Sequence, residues 1–201
     1  MPDPKGDARR AAPQPAAVRV ADPRAADAKA QTSQAGSSLL FLREEEIRAA
    51  QDLLFFAYRD FTNAADVILD ELGMGRAHHR TLHFIGRNPG LPVSELLAIL
   101  RITKQSLARV LTELVSQGYV AQTQGRADRR QRLLTLTPAG QALERRLFER
   151  QRERIVAAYR EAGAGAVEGF RRVMRGIMDE QARAYTDRAE GAAREPRPRQ
   201  M

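Results

Sequence analysis

The forty residues RITKQSLARVLTELVSQGYVAQTQGRADRRQRLLTLTPAG, positions 101–140, change hydrophobic period twice, and few folds accommodate that. Leu107, Val110, Leu111 and Leu114 recur at i, i+3, i+4 and i+7, the buried stripe of an amphipathic helix. Thr103 stands where an N-cap belongs, with Ser106 three residues on. Gln105, Arg109, Thr112 and Ser116 fall on the opposite, solvent-facing side. After Gly118 the spacing shortens. YVAQTQ reads as a strand, GRADRR as a Gly-containing basic turn and QRLLTLT as the return strand. Thr137-Pro138 then starts another helix, as an N-cap followed by proline at the first helical position. The unit predicted is helix, hairpin, helix.

The residues ahead of this unit complete it. RAHHRTLHFIGR, then the stop NPG, then LPVSELLAIL predict two short helices before the one capped by Thr103. Short helix, short helix and a capped helix with a polar outer face is a helix-turn-helix pattern, and the hairpin behind it makes a winged helix. Arg126, Arg129, Arg130 and Arg132 stand against one acid, Asp128, at the hairpin tip. They form a cationic probe suited to phosphates or to a narrow minor groove. A solvated turn carries similar residues, but the helices ahead of this one favour the probe.

Outside that unit the chain reads as helix. SSLLFLREEEIRAAQDLLFFAYRDFTNAADVILDELG predicts a long helix starting near Arg43, with Ser38 as a possible cap and Glu44–Glu46 suited to its N-terminal end. Its apolar residues Ile47, Leu53, Leu54, Tyr58, Phe61, Val67, Ile68 and Leu72 cover more than one stripe, so it must pack against more than one partner. Gly73 and Gly75 end it. AGQALERRLFERQRERIVAAYREA predicts a helix from Pro138, and after GAGAV the segment EGFRRVMRGIMDEQARAYTDR predicts another. The fold class is therefore mainly α with a small β-hairpin wing: a winged helix-turn-helix lobe at about 74–137, with outer helices at about 39–72 and 138–188. Residues 1–38 and 189–201 are rich in Ala, Pro and Arg, with few large apolar side chains, and read as disordered basic tails.

Composition narrows the function. Hydrophobic residues make up 43% and aromatic residues 5%, with no Trp, which favours an Ala/Leu-based helical protein over a sandwich or barrel. Lys and Arg number 33 against 25 Asp and Glu, a formal charge of +8 that draws nucleic acid or anionic lipid. With 0 Cys, disulfides, thiol chemistry and cysteine zinc sites are excluded. No apolar run is long enough to span a bilayer and the first residues lack a secretory apolar segment, so the expected address is the cytoplasm, with no membrane partner. There is no Gly-rich phosphate loop, no nucleophile elbow and no framed pair of carboxylates, so no enzyme and no cofactor is expected.

The run LPVSELLAILRITKQSLARVLTELVSQGYVAQTQGRADRRQRLLTLTPAGQAL resembles the MarR family of bacterial winged-helix regulators. ITKQSLARVLTELVSQGYV is similar to the family's recognition helix and strand entry. DRRQRLLTLTPAG is similar to its Asp-x-Arg wing and Leu-Thr-x-x-Gly helix start. Within the family, LFFAYRDF, GRAHHRTLHFIGRNPG and RITKQSLARVL look most like the PetP-type regulators of alphaproteobacteria. The resemblance implies a transcriptional regulator, repressor or activator. It implies a homodimer whose outer helices interleave and which binds a pseudo-palindromic operator in double-stranded DNA. By position, Asp128 would orient the wing and Arg130 would enter the minor groove, flanked by Arg126, Arg129 and Arg132. Thr103 would cap the recognition helix, with Lys104, Gln105, Ser106 and Arg109 facing DNA. Gln pairs bidentately with adenine and Arg with guanine, which makes Gln105 and Arg109 the base readers.

All 3 histidines fall in RAHHRTLHF, as His78, His79 and His83. The family usually shows Gln and an aromatic where this chain has His78 and His79. Several readings stay open. One is a small anionic or phenolic effector held by His79, Arg80 and His83 or by Phe55 and Tyr58. Another is a metal-responsive regulator using His79 and His83, which are i, i+4. The third is a polar helix with no ligand. A further alternative is a winged-helix protein-interaction module without specific DNA binding, for which an arginine cluster at the hairpin tip has no use.

Overall fold

The structure, a computed structural model, describes residues 40–194. Ser38, the proposed cap, and the tail at 1–38 lie outside the described residues, as do 195–201. The chain divides into two units between Leu54 and Phe55. In the first, a 3-10 turn at Leu40–Leu42 precedes α1, which spans Glu44–Glu71 and opens on three acids at its positive end. There Phe41, Leu42, Ile47, Leu53 and Leu54 are all exposed.

The second unit holds the core. The C-terminal part of α1 buries Thr62, Ala65, Ile68 and Leu69. Gly73, at φ 65°, ends the helix by allowing the Met74 N–H to reach back to the Leu69 carbonyl at 2.8 Å. Then follow α2 (Arg76–Arg87), β1 (Leu91–Pro92), α3 (Val93–Leu100) and α4 (Lys104–Ser116). The hairpin is β2 (Val120–Gln124) and β3 (Arg132–Leu136). The innermost residues of the core are Leu69, Leu82, Ile85, Leu96, Leu107, Leu114, Leu134 and Leu147. All four residues of the predicted stripe on α4 are buried, and Gln105, Arg109, Thr112 and Ser116 are exposed.

The structure departs from the sequence reading in four places. LPVSELLAIL is not helical throughout: its first two residues are β1, pairing antiparallel with β3 through Leu91↔Leu134 and Pro92↔Leu133, in a sheet ordered β1-β3-β2. An edge position suits Pro92, which has no N–H to donate to a ladder. The predicted break at GAGAV is a single residue. Gly163 is non-helical at φ 77°, and α5 otherwise runs Pro138–Ile177. The last predicted helix is in fact two. The chain breaks at Met178, and α6 (Glu180–Arg194) starts behind Asp179, whose carboxylate accepts from the Ala182 N–H at 2.8 Å. α6 continues past residue 188, where the sequence placed the start of a tail. Among the described residues no helix is long and apolar enough to cross a membrane.

Candidate nucleic-acid interface

Helix α4 is set by its cap and its buried stripe. Thr103 is the N-cap, its Oγ1 accepting from the Ser106 N–H at 3.1 Å and donating to the Ser106 hydroxyl at 2.8 Å. Arg101, left-handed at φ 50°, turns the chain from α3 toward α4. Its side chain leads away from α4, to Asp179 at 2.6 Å and Gln181 at 2.9 Å. With the stripe fixing rotation, Lys104, Gln105, Ser106 and Arg109 stand exposed on the outside. Ser106 is already engaged by the cap, so Lys104, Gln105 and Arg109 keep the freer polar ends.

The wing is a closed loop. Gly125 donates to the Gln131 carbonyl and Gln131 to the Asp128 carbonyl, both at 3.0 Å. Asp128 Oδ1 accepts from the Arg130 N–H at 2.9 Å, the side-chain turn that Asp makes two residues ahead. Gly125 is required here, because a Cβ would lie 2.7 Å from the Asp128 carbonyl oxygen. Arg126, Arg129, Arg130 and Arg132 are exposed, and Arg132 leans across the hairpin to Gln122 at 3.3 Å. Among the described residues, no ion pair involves Arg126, Arg129 or Arg130. Asp128 thus turns its carboxylate to the backbone, and the tip, with four guanidinium groups to one carboxylate, stays net positive.

The histidines do not act as one group. His78 is buried, its Nδ1 accepting from the Gly75 N–H at 3.1 Å and its Nε2 lying 2.6 Å from Glu113 on α4. His79 is half-buried, while His83 faces Glu144 at 3.8 Å and packs edge-on against Phe84. Among the described residues no group of three His, Cys, Asp or Glu is placed to hold a metal ion. Of the five proposed ligand residues, His83 alone lines an open cavity walled also by Phe84, Asn88, Arg145, Phe148 and Tyr185. Phe55, Tyr58 and Arg80 are exposed, and Arg80 donates to the Arg76 carbonyl at 3.4 Å.

With this geometry in place, comparison with known proteins shows the chain's family. HTH-type transcriptional regulator PetP of Rhodobacter capsulatus is 53% identical over 144 residues, which are 72% of this chain and 87% of PetP. The MarR family profile matches residues 72–131. The chain belongs to the MarR family. It is a winged helix-turn-helix, DNA-binding transcriptional regulator and not an enzyme. Solved structures share the fold. A mutant MarR from E. coli complexed with operator DNA is 21% identical with a TM-score of 0.53, covering 70% of this chain and 99% of that one. NadR in complex with 4-hydroxyphenylacetate is 22% identical with a TM-score of 0.55, covering 62% and 88%.

Two features of this MarR-family chain escaped the sequence reading. Glu113, i+4 from Arg109, was visible by spacing, but its partner His78 is 35 positions away and only packing brings them together. Asn88 and Tyr185, hydrogen-bonded at 3.0 Å across 97 positions, were equally hidden. The helix carrying the histidines also makes this protein sensitive to pH. Burial, and then the neighbouring His83, hold the His79 imidazole below its ordinary value of 6.5. The unfolded chain therefore takes up the proton first as pH falls. The contribution of His79 to stability is full above about pH 6.5 and is lost as pH falls from there through the lower folded value. Urea midpoints at pH 7.5 and 5.5 should show this loss, and His79→Gln should shrink it. An undiminished loss in the variant would place its origin elsewhere.

Proposed function

We propose that the protein acts as a homodimer on a pseudo-palindromic operator. Each α4 enters the major groove, Gln105 and Arg109 read bases, Lys104 and Ser106 contact the strand alongside, and the wing's Arg130 reaches the minor groove with Arg126, Arg129 and Arg132 beside it. In this reading the winged helix-turn-helix spans about 74–137, and the helices on either side form the dimerisation layer. One observation carries it: a capped helix presents exposed Gln105 and Arg109 from its first two turns, the part of a recognition helix that reaches base edges. The wing's arginines, four against the single acid Asp128, support the same reading.

Loss of a base contact costs about 1–3 kcal/mol at one operator position and flattens preference there. Loss of a phosphate contact instead weakens all sequences alike and shallows the salt slope by about one unit. Gln105→Ala should give the first pattern, and Arg109→Ala a mixture. The check is titration against an operator and its single-base variants at two salt concentrations. A uniform loss across all variants for Gln105→Ala makes Gln105 a backbone contact.

The dimer rests on apolar exposure. Ile47, Leu53, Phe55, Phe56, Tyr58 and Val67 on α1, and Phe148, Ile155, Phe170, Val173 and Ile177 on α5, are each at least 40% exposed. A second copy of the same helices would cover them, since soluble monomers rarely leave so much large apolar surface in water. Light scattering at micromolar protein should return twice the chain mass; a monomer mass refutes the dimer.

For an effector, we assign the cavity lined by His83, Phe84, Asn88, Phe148 and Tyr185, whose aromatic faces suit a phenol ring. Glu95, Glu144, Asp179 and Glu190 line it too, and Arg145 there is paired with Glu149 at 2.6 Å, so a neutral phenol suits it better than an acid.

A further inference from the structure

Gln105, Arg109 and Glu113 follow one another at i, i+4 and i+8 along α4, so a carboxylate stands on the same face as the two proposed base readers. A carboxylate facing a polyanion opposes binding, and its presence needs a cause. Stability is not a sufficient one. Arg109 lies N-terminal to Glu113, the weaker orientation for a helical pair, their ends are 3.8 Å apart, and the Arg109 side chain is 79% exposed.

The geometry gives Glu113 a different task. Its Oε2 lies 2.6 Å from His78 Nε2, and His78 is only 7% exposed. Because His78 Nδ1 accepts the Gly75 N–H, that nitrogen carries no proton, and the proton must sit on Nε2, where it donates to Glu113. The tautomer is fixed by the backbone at the start of α2, and through it one oxygen of Glu113 is held in place. The other oxygen lies 3.8 Å from Arg109 Nε, too far for a hydrogen bond but close enough for its charge to bias where the exposed guanidinium rests. A guanidinium approached at Nε keeps its two terminal nitrogens free, the pair of donors that forks onto guanine O6 and N7.

We propose that Glu113, anchored by His78, is a positioning residue that sets operator specificity. It orients Arg109 toward a base edge, and its charge penalises the phosphate contacts that any sequence offers. The proposal rests on the base-reading role of Arg109 given above.

Glu113→Gln is the direct test, because a Gln oxygen still accepts from His78 while the charge is gone. The full chain is titrated with its operator, selected from genomic fragments, and with random duplex DNA, at two salt concentrations, alongside thermal melts. We expect an unchanged melt, tighter binding to random DNA with a salt slope steeper by about one unit, and an operator-to-random ratio reduced about tenfold. In an Arg109→Ala background, Glu113→Gln should no longer change the preference among single-base operator variants. Glu113→Asp keeps the charge but withdraws it from both partners. It should lose the ratio without steepening the slope, and it serves as the test should the Gln variant not fold. If Arg109→Ala leaves the ratio intact, the base-reading role and this proposal fall together. If Arg109→Ala collapses the ratio while both Glu113 variants keep it, or lower both affinities alike along with the melt, only the proposal is overturned.

Discussion

Gly140→Ala is expected to destabilise the protein by about 3 kcal/mol, the upper part of the usual range for overpacking, because the added methyl has nowhere to go. Gly140 is buried in the first turn of α5, and a Cβ there would overlap the Tyr119 carbonyl oxygen. The obstacle is backbone, and it is held from several sides. Tyr119 accepts from the Thr137 N–H at 3.0 Å and donates its own N–H to the Leu114 carbonyl at 2.9 Å. Thr137 Oγ1 donates to the Gly118 carbonyl at 2.6 Å and accepts from the Gly140 N–H at 3.1 Å. Relief would require the end of α4 and the start of α5 to separate, and both belong to the same core. Urea denaturation followed by circular dichroism measures the effect. A midpoint equal to wild type would mean that this junction yields easily, and that the glycine reflects something other than close approach.

Arg130→Ala should weaken operator binding by about 1–3 kcal/mol, roughly five- to 150-fold, while the melting temperature barely moves. The two readouts separate for a structural reason. The Arg130 side chain is exposed, so the core loses nothing, and its backbone N–H still donates to Asp128, so the loop keeps its shape. What disappears is a positive end without an ionic partner among the described residues. Anisotropy titrations of both proteins at one salt concentration measure the change, and equal affinities would remove the wing from the interface.

Local patterns in the sequence sufficed for the elements that present these side chains. The stripe Leu107, Val110, Leu111 and Leu114 fixed which face of α4 turns outward, because a helix of that period has one way to bury four large residues. Thr103 and Thr137-Pro138 placed two helix starts, since a cap is satisfied within three residues of itself. The hairpin and its arginine tip were legible for the same reason: a turn between two short strands is a local event. The Leu-Thr-x-x-Gly start was legible as a resemblance, though its cause was not.

The features that needed the tertiary structure are those whose partners are distant in the chain. β1 is two residues long, too short for any periodicity, and exists because β3 passes beside it. The split between α5 and α6 lay inside a continuous helical pattern with no glycine or proline at the break itself. The sequence singled out His79 and His83 by their i, i+4 spacing and gave His78 no role, until packing paired it with Glu113. Gly140 entered the sequence reading only through the Leu-Thr-x-x-Gly resemblance, and the Tyr119 carbonyl standing where its side chain would be supplies the cause. The sequence by itself determined the helices, the hairpin and the outward face of α4, because each follows from residues within a turn or two of one another. Which histidine supports that face, and which glycine the fold cannot exchange, were decided only when segments tens of residues apart were brought within hydrogen-bonding distance.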